Sequence, residues 1–444
     1  MSFIKFAGLS PARFLVGGFA LVIILGTFLL SLPIATAAGG NTLINALFTA
    51  TSAVCVTGLI VVDTGTYYSV FGQVVIMFLI LVGALGFMTS ATLIFIVLGK
   101  RITLKDRLII KEALNTDSIQ GVVHLIITII KISLLIIFLG SILLSIRFVP
   151  QMGWVRGIYF SLFHSISAFG NAGFDLFGDF QSLTAFAGDY LVSGTIMSLF
   201  IIGGVGFIVL LDIYQKKRVL RYSLHTKIVL LLTAFLLLSG TLIIFLLEYN
   251  NPLTMGGLGY GEKLFRAFFT AATPRTAGFN LLATDALQSA SLFFLLLLMF
   301  IGASPASTGG GIKTTTFALL AASVRALIMG SDEVVFWEKR IPLPLVLKAI
   351  TIIIVSLSLI FFIIFAMTIT EDKSFLSLVF EVFSAFGTVG LSTGITPDLS
   401  SSGKVLIIIT MFAGRVGPLT MLYALTRRFR PTGLRYPEER ILIG

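Results

Sequence analysis

The stretch FTATSAVCVTGL (Phe48–Leu59) returns three more times, as FHSISAFGNAGF (Phe163–Phe174), FFTAATPRTAGF (Phe268–Phe279) and FEVFSAFGTVGL (Phe380–Leu391). In every copy a Phe precedes a Gly by ten residues, and Leu or Phe follows that Gly. The motif glycines Gly58, Gly173, Gly278 and Gly390 lie 115, 105 and 112 residues apart. A period of that size is far above the solenoid range, so each copy marks a whole structural unit. One such segment alone reads as an interfacial helix with a loop glycine; recurrence with matched internal spacing reads as a repeated device.

Each copy sits on a short apolar segment, Leu43–Ala53, Ile158–Ala168, Leu264–Ala272 or Ser377–Ala385, too short to cross a bilayer. Longer apolar runs flank them: Arg13–Leu32, Gln73–Leu98, Val122–Arg147, Leu191–Ile213, Leu224–Leu247, Ser291–Leu327 with an interruption, Leu343–Thr370 and Lys404–Leu425. Each is long enough to span about 30 Å of hydrocarbon. The expected fold is therefore an all-α integral membrane protein, with four span–pore helix–filter loop–span repeats arranged pseudo-fourfold around one central pore. The repeats are expected at 1–100, 101–218, 219–338 and 339–426, with a cytoplasmic tail at 427–444.

Composition agrees with this. Hydrophobic residues make up 57% of the 444 and charged residues 11%, whereas soluble proteins carry about 25% charged residues. A soluble enzyme, a disordered chain and a secreted disulfide scaffold are excluded. The lone Cys55 and the scattered His124, His164 and His225 offer no metal cluster. The net charge of +11 is a matter of placement. About 21 of the 31 basic residues fall at Lys5, Arg13, the Lys100–Lys111, Lys216–Lys227 and Arg325–Lys348 loops and the Arg427–Arg440 tail, all on one side of the spans as drawn. That side is expected to be cytoplasmic, with both termini inside, in a plasma membrane whose lipid is the chain's immediate neighbour. Asp63, Asp175, Asp179, Asp189, Glu248, Glu262, Asp285 and Asp398 fall on the other side. Nucleic-acid binding is not expected. The first span imitates a signal peptide, but it is long and ends at Pro33, so it is expected to remain uncleaved.

A half-length helix followed by small, Gly-containing residues leaves unpaired carbonyls at membrane depth, tolerable only where they line a polar cavity. Four such loops around an axis can replace the hydration shell of a cation with carbonyl oxygens. The candidate cation-binding residues are Val56, Thr57, Gly58, Asn171, Ala172, Gly173, Thr276, Ala277, Gly278, Thr388, Val389 and Gly390. The C-terminal ends of the short helices would favour a cation there too.

The second spans carry glycines at Gly83 and Gly86, at Gly203, Gly204 and Gly206, and at Gly414 and Gly417, which in the first two repeats are expected to serve close helix packing. The third repeat differs. Its span is interrupted by Gly302, Ala303, Ser304, Pro305, Ala306, Ser307, Thr308, Gly309, Gly310, Gly311, Ile312 and Lys313, which cannot continue a helix. An irregular segment after a filter loop is placed to obstruct the conduit and is expected to be a gate. Gly309–Thr314 is no phosphate loop, because Ile312 separates Gly311 from Lys313. Arg415, inside the last span, is expected to pair with the Ser304–Gly311 segment. Lys131 has no expected partner, and Glu381 is expected near the favourable N-terminal end of its short helix.

The fourfold unit, TVG at Thr388–Gly390, TPRTAGF at Thr273–Phe279 and the Gly-rich break in the third inner helix together resemble the Trk/Ktr/HKT superfamily, over nearly the whole chain. The span count and short tail look like its Ktr-type membrane subunit. The resemblance implies potassium (K+) uptake, with Na+ as an activator, by a homodimer with one pore per protomer. It also implies a cytoplasmic ring of RCK-type regulatory subunits that bind adenine nucleotide, with Arg430–Gly444 as a docking and dimer surface. Glycine at all four filter positions goes with potassium in that family, and serine at the first goes with sodium. The loop Gly302–Lys313 corresponds to the family's gating loop, and Arg415 to the arginine of its last inner helix. No copy continues to Tyr-Gly, so only the carbonyl ring at each motif Gly follows from the resemblance. A sodium-conducting relative and a secondary transporter of a small solute are the alternatives; a transporter predicts inverted two-part symmetry, and no enzymatic constellation is present.

Overall fold

The computed structural model describes residues 11–37, 39–86, 89–90, 122–216, 218–331, 333–425, 437 and 439. The distal part of the Gln73–Leu98 run, the Lys100–Lys111 loop, Lys5 and nearly all of the 427–444 tail lie outside these residues.

Among the described residues the chain is mostly helical, and its helices fall into four similar sets. The first is α1 (Pro11–Ser31), α2 (Leu43–Cys55) and α3 (Val70–Leu85). The second is α4 (Val122–Met152), α5 (Trp154–Phe169), α6 (Tyr190–Val205) and α7 (Phe207–Gln215). The third is α8 (Leu224–Glu248), α9 (Tyr260–Ala272), α10 (Ser289–Phe300) and α11 (Thr314–Ile328). The fourth is α12 (Leu343–Thr370), α13 (Phe375–Gly387), α14 (Ser401–Val416) and α15 (Pro418–Leu425). A two-residue antiparallel ribbon, Val335–Phe336 with Lys339–Arg340, precedes α12.

The opening helices α1, α4, α8 and α12 are unbroken and long enough to cross a membrane. Their outward faces are apolar, with Ile24, Phe28, Phe138, Leu238 and Phe361 each more than half exposed, as a lipid environment requires. The short helices α2, α5, α9 and α13 are buried towards their C-terminal ends, and each packs against the opening helix of its own set. Several helices start on a side-chain cap: Thr42 accepts from Asn45 N–H at 3.4 Å and Ser374 from Ser377 N–H at 3.2 Å.

The sets close on one another in sequence. Helix α3 packs on α5, α6 on α9, α10 on α13 and α14 on α2, so the second long element of each set rests on the short helix of the next, and the fourth returns to the first.

The third set's second long element is interrupted between Phe300 and Thr314, as expected, but those of the second and fourth sets depart from the uninterrupted spans expected of them. Helix α6 gives way to α7 at Gly206 with a bend of 92°, and α14 to α15 at Gly417 with a bend of 96°. Helix α3 ends at Gly86. These glycines have φ of 83°, 102° and 91° for Gly86, Gly206 and Gly417, left-handed values that end a helix without strain only when Cβ is missing. The packing role expected for the clusters falls to the glycines three residues earlier. A Cβ on Gly83, Gly203 or Gly414 would overlap the carbonyl oxygens of Val54, Phe169 and Phe386 at the ends of the short helices. One cluster therefore serves close approach and helix termination together.

Candidate functional site: a ring of loops and the segment beneath it

Each short helix ends three to six residues before its motif glycine, at Cys55, Phe169, Ala272 and Gly387, and positive φ then recurs at two positions of each loop. Val56, Asn171, Thr276 and Thr388 have φ of 56°, 58°, 71° and 49°, and Gly58, Gly173, Gly278 and Gly390 have φ of 90°, 68°, 78° and 91°. The residues between, Thr57, Ala172, Ala277 and Val389, do not share this positive φ. Alternating the sign of φ turns successive carbonyls towards one side of the strand, an arrangement that costs strain in non-glycine residues and persists where the surroundings enforce it.

The four loops meet. A Cβ on Gly58 would lie 2.5 Å from the Ala172 carbonyl oxygen and 3.1 Å from Gly173 Cα. On Gly173 it would lie 2.9 Å from both the Ala277 oxygen and Gly278 Cα, and on Gly278 2.7 Å from the Val389 oxygen. On Gly390 it would overlap the Thr57 oxygen and lie 3.0 Å from Gly58 Cα. The contacts run from the first copy to the second, third, fourth and back to the first. All four glycines line one cavity of ≈ 280 Å³, whose wall also holds Ile60, Asp175, Asn280 and Ser392, each two residues past its glycine. Asp175 is the one formally charged side chain in that lining.

Hydroxyls hold the loops to their helices. Ser52 Oγ accepts from Gly58 N–H at 3.1 Å and Ser384 Oγ from Gly390 N–H at 3.1 Å. Ser167 Oγ donates to the Phe174 carbonyl at 2.6 Å, and Thr273 Oγ1 to that of Phe279 at 2.5 Å. The sequence reading passed over these residues, although Ser52, Ser167 and Ser384 each stand six before the motif glycine and the aligned copies display them.

On the other face of the ring lies the segment between α10 and α11. Its ends are brought together by a parallel bridge between Ile301 and Ile312. Ser304 N–H donates to Gly204 O at 3.1 Å, Thr308 N–H to Gly203 O at 3.3 Å, and Phe207 N–H to Ala306 O at 2.8 Å, which ties the segment to the break between α6 and α7. Thr308 Oγ1 donates to Asn171 Oδ1 at 2.8 Å, and Asn171 Nδ2 donates to Thr276 Oγ1 at 3.3 Å. Gly310 N–H donates to Thr388 Oγ1 at 3.0 Å. A Cβ on Gly309 would overlap Thr276 Oγ1. The segment thus touches three of the four loops through residues adjoining their motif positions. Pro305 sits half-buried at its turn, Ala306 has φ of 51°, and Ser307 Oγ closes the turn onto Ser304 O at 2.6 Å.

Two cations lie here. Arg415 donates to the carbonyls of Thr308 and Gly83, linking the fourth set to the segment and to the first set. Lys313 Nζ donates to Gly309 O at 2.7 Å and lies 3.4 Å from Gly310 O. Both are satisfied by backbone carbonyls, the partners expected of a cation removed from water.

A model of the TrkH family, described as a cation transport protein, matches residues 21–431. The chain belongs to the TrkH family. Among curated relatives it is 48% identical to the Ktr system potassium uptake protein B of Bacillus subtilis (strain 168), over 99% of this chain and 98% of that protein. It is 42% identical to the potassium/sodium uptake protein NtpJ of Enterococcus hirae, over 98% of each. Its fold is similar to the crystal structure of the potassium transporter TrkH from Vibrio parahaemolyticus, with TM-score 0.73 and 18% identity over 95% of this chain and 86% of that one. Family membership and the long apolar helices make this a multi-pass membrane protein.

One polar residue of this TrkH-family chain lies elsewhere than expected. Glu381 is midway along α13 and fully buried, not at the helix start, and it accepts hydrogen bonds from Ser392 Oγ at 3.0 Å and from Thr396 Oγ1. Lys131, left without an expected partner, is exposed on α4.

Proposed function

We propose that the chain is the pore-forming subunit of a potassium uptake system, in which four filter loops form a pseudo-fourfold carbonyl ring and the Gly302–Lys313 segment, pinned by Arg415, is the gate. The observation that carries this reading is the cyclic contact of Gly58, Gly173, Gly278 and Gly390 at the wall of one cavity. Carbonyl oxygens brought together this way can replace the water around a cation. The short helices end at the ring and add the partial negative charge of their C-termini, so no ionised side chain is needed at the filter itself. Potassium as the transported ion is favoured by the names of the relatives at 48% and 42% identity and by glycine at each filter position. Sodium enters one of those names, and Na+ is assigned here the role of activator.

The basic side of the chain is assigned to the cytoplasm, with both termini there. A separate regulatory subunit, an RCK-type ring that binds adenine nucleotide, is assigned to that side, in keeping with the word "system" in three relatives' names. The pore subunit works as a homodimer.

The test is selectivity. Purified chain in proteoliposomes takes up rubidium-86 in preference to sodium-22, and Gly58→Ser lowers that preference. The serine Cβ would sit 2.5 Å from the Ala172 oxygen at a residue with φ of 90°, so the ring must change shape to admit it. An unchanged ratio in this variant would sink the filter assignment.

A further inference from the structure

One position of the repeat is polar in three copies and is used neither by the ring nor by the segment beneath it. The residue after the repeat's Phe is Thr49, His164, Phe269 or Glu381, and all four are buried. Thr49 Oγ1 accepts from the Tyr68 hydroxyl at 3.0 Å. His164 Nε2 accepts from Leu176 N–H at 3.3 Å, while its Nδ1 bonds Phe160 O at 2.7 Å. Phe269 packs edge-on against Phe200, with centroids 5.5 Å apart. Each polar member therefore braces its short helix against the chain that follows the filter, and the third copy has an apolar contact instead.

Glu381 differs from the others in what it braces. Ser392 and Thr396 both donate their hydroxyl protons to its carboxylate, and both line the cavity with Gly394 and Pro397. Gly394 N–H donates to Ser392 Oγ at 3.0 Å, and the two hydroxyl oxygens lie 2.9 Å apart. A free hydroxyl rotates and offers a passing cation its proton as often as its lone pairs. One whose proton is committed to a buried acceptor keeps its remaining lone pairs for another partner, and the hydrogen bond polarises the oxygen.

We propose that Glu381 is a positioning residue for cation entry: it draws the protons of Ser392 and Thr396 away from the cavity and gives the fourth repeat an oxygen-lined step, for a partly dehydrated monovalent cation, just before the carbonyl ring. The step rests on the pore reading above. The positions equivalent to Ser392 in the other copies are Ile60, Asp175 and Asn280; Ser182 and Thr284 also bring hydroxyls to the cavity wall, but the fourth repeat is where two wall hydroxyls share one buried carboxylate.

The experiment is rubidium-86 uptake by the full-length chain in proteoliposomes as a function of rubidium concentration. Glu381→Ala raises the apparent KM about tenfold, the equivalent of one hydrogen bond to a charged group, with a smaller fall in Vmax. Glu381→Gln, which keeps a carbonyl acceptor for one hydroxyl, recovers most of that loss. Ser392→Ala with Thr396→Val raises KM to a similar degree, and adding Glu381→Ala to this pair raises it no further. An unchanged KM in Glu381→Ala, or full additivity in the triple variant, overturns the proposal. If Glu381→Ala does not accumulate, the hydroxyl pair carries the test with Glu381 intact, and an unchanged KM there overturns it equally. Gly58→Ser separates the two levels. If it leaves selectivity unchanged, the pore reading fails; if it alters selectivity while the Glu381 and hydroxyl variants leave KM alone, only the entry step fails.

Discussion

The second and third repeats break the same helix in different ways. In the second, α6 and α7 are separated by one left-handed residue, Gly206, and the chain turns 92° and continues. In the third, α10 ends at Phe300 and α11 begins at Thr314, and the residues between carry Gly302, Gly309, Gly310 and Gly311. A helix end leaves up to four donors or acceptors without partners. A one-residue break leaves little chain to satisfy, whereas a long break inside a membrane must find partners for every polar group it releases. The third repeat finds them on its neighbours: Gly203 and Gly204 of the second set, Asn171 and Thr388 of the loops around the cavity, and Arg415 of the fourth. The long break is thus stable only in company. The short break is a fixed corner.

The largest effect should come from removing the long break. Deleting Ser304–Gly310 takes away the chain that holds Thr308, Gly309 and Gly310 against the filter side chains, and rubidium-86 flux in the absence of any regulator should rise about tenfold or more. A lower flux at normal expression would mean that the segment supports the conduit instead of obstructing it.

How much of this contrast could be read from the residues depends on which kind of signal each feature leaves. The four loops that meet around the cavity were legible because a Phe and a Gly ten residues apart recur, and recurrence marks geometry that each copy must meet. The interruption at Gly302–Lys313 was legible because proline and clustered glycines forbid a helix over that length. The helix end at Gly86 and the corners at Gly206 and Gly417 were not, since a glycine that lets two helices touch and a glycine that takes positive φ are the same letter. Only the backbone separates Gly203, pressed on Phe169 O, from Gly206 with its φ of 102°. The role of Glu381 was hidden for another reason: its partners Ser392 and Thr396 belong to an irregular stretch, and no periodicity states where such a stretch folds back.

An intermediate effect sharpens the comparison. Gly309→Ala places a methyl where Thr276 Oγ1 now lies, so the segment must lift away from the filter loop, and regulator-free flux should rise severalfold. Gly206→Ala forces a left-handed alanine at a cost of about 1–2 kcal/mol, and its Cβ would lie 2.7 Å from Pro305 O. That variant should lower the thermal midpoint of the solubilised protein more than it raises flux. If Gly206→Ala opens the conduit as far as Gly309→Ala does, the corner is part of the gate and the distinction between the two breaks collapses.

The smallest expected effect concerns the entrance, where the second and third repeats also differ, with Asp175 against Asn280 at equivalent wall positions. Burial pushes the Asp175 carboxyl up to about 7, the Phe177 N–H at 3.1 Å pulls it down, and neighbouring Asp63 pushes it up again. The sign follows from the charged form. Above that value Asp175 is an anion beside the ring and attracts an entering cation; below it the group is neutral and the attraction is lost. The apparent KM for rubidium-86 should therefore rise about two- to threefold as the pH on the cavity side falls from roughly 8 to roughly 6, a modest change because water in the cavity screens the interaction. Asp175→Asn, which gives the second repeat the third's side chain type, should hold KM at the acidic value and remove the slope. Asn280→Asp should do the reverse and add a second titrating carboxyl on the neighbouring repeat. A slope that survives Asp175→Asn would move the titration to another group and leave the two repeats alike in their effect on entry.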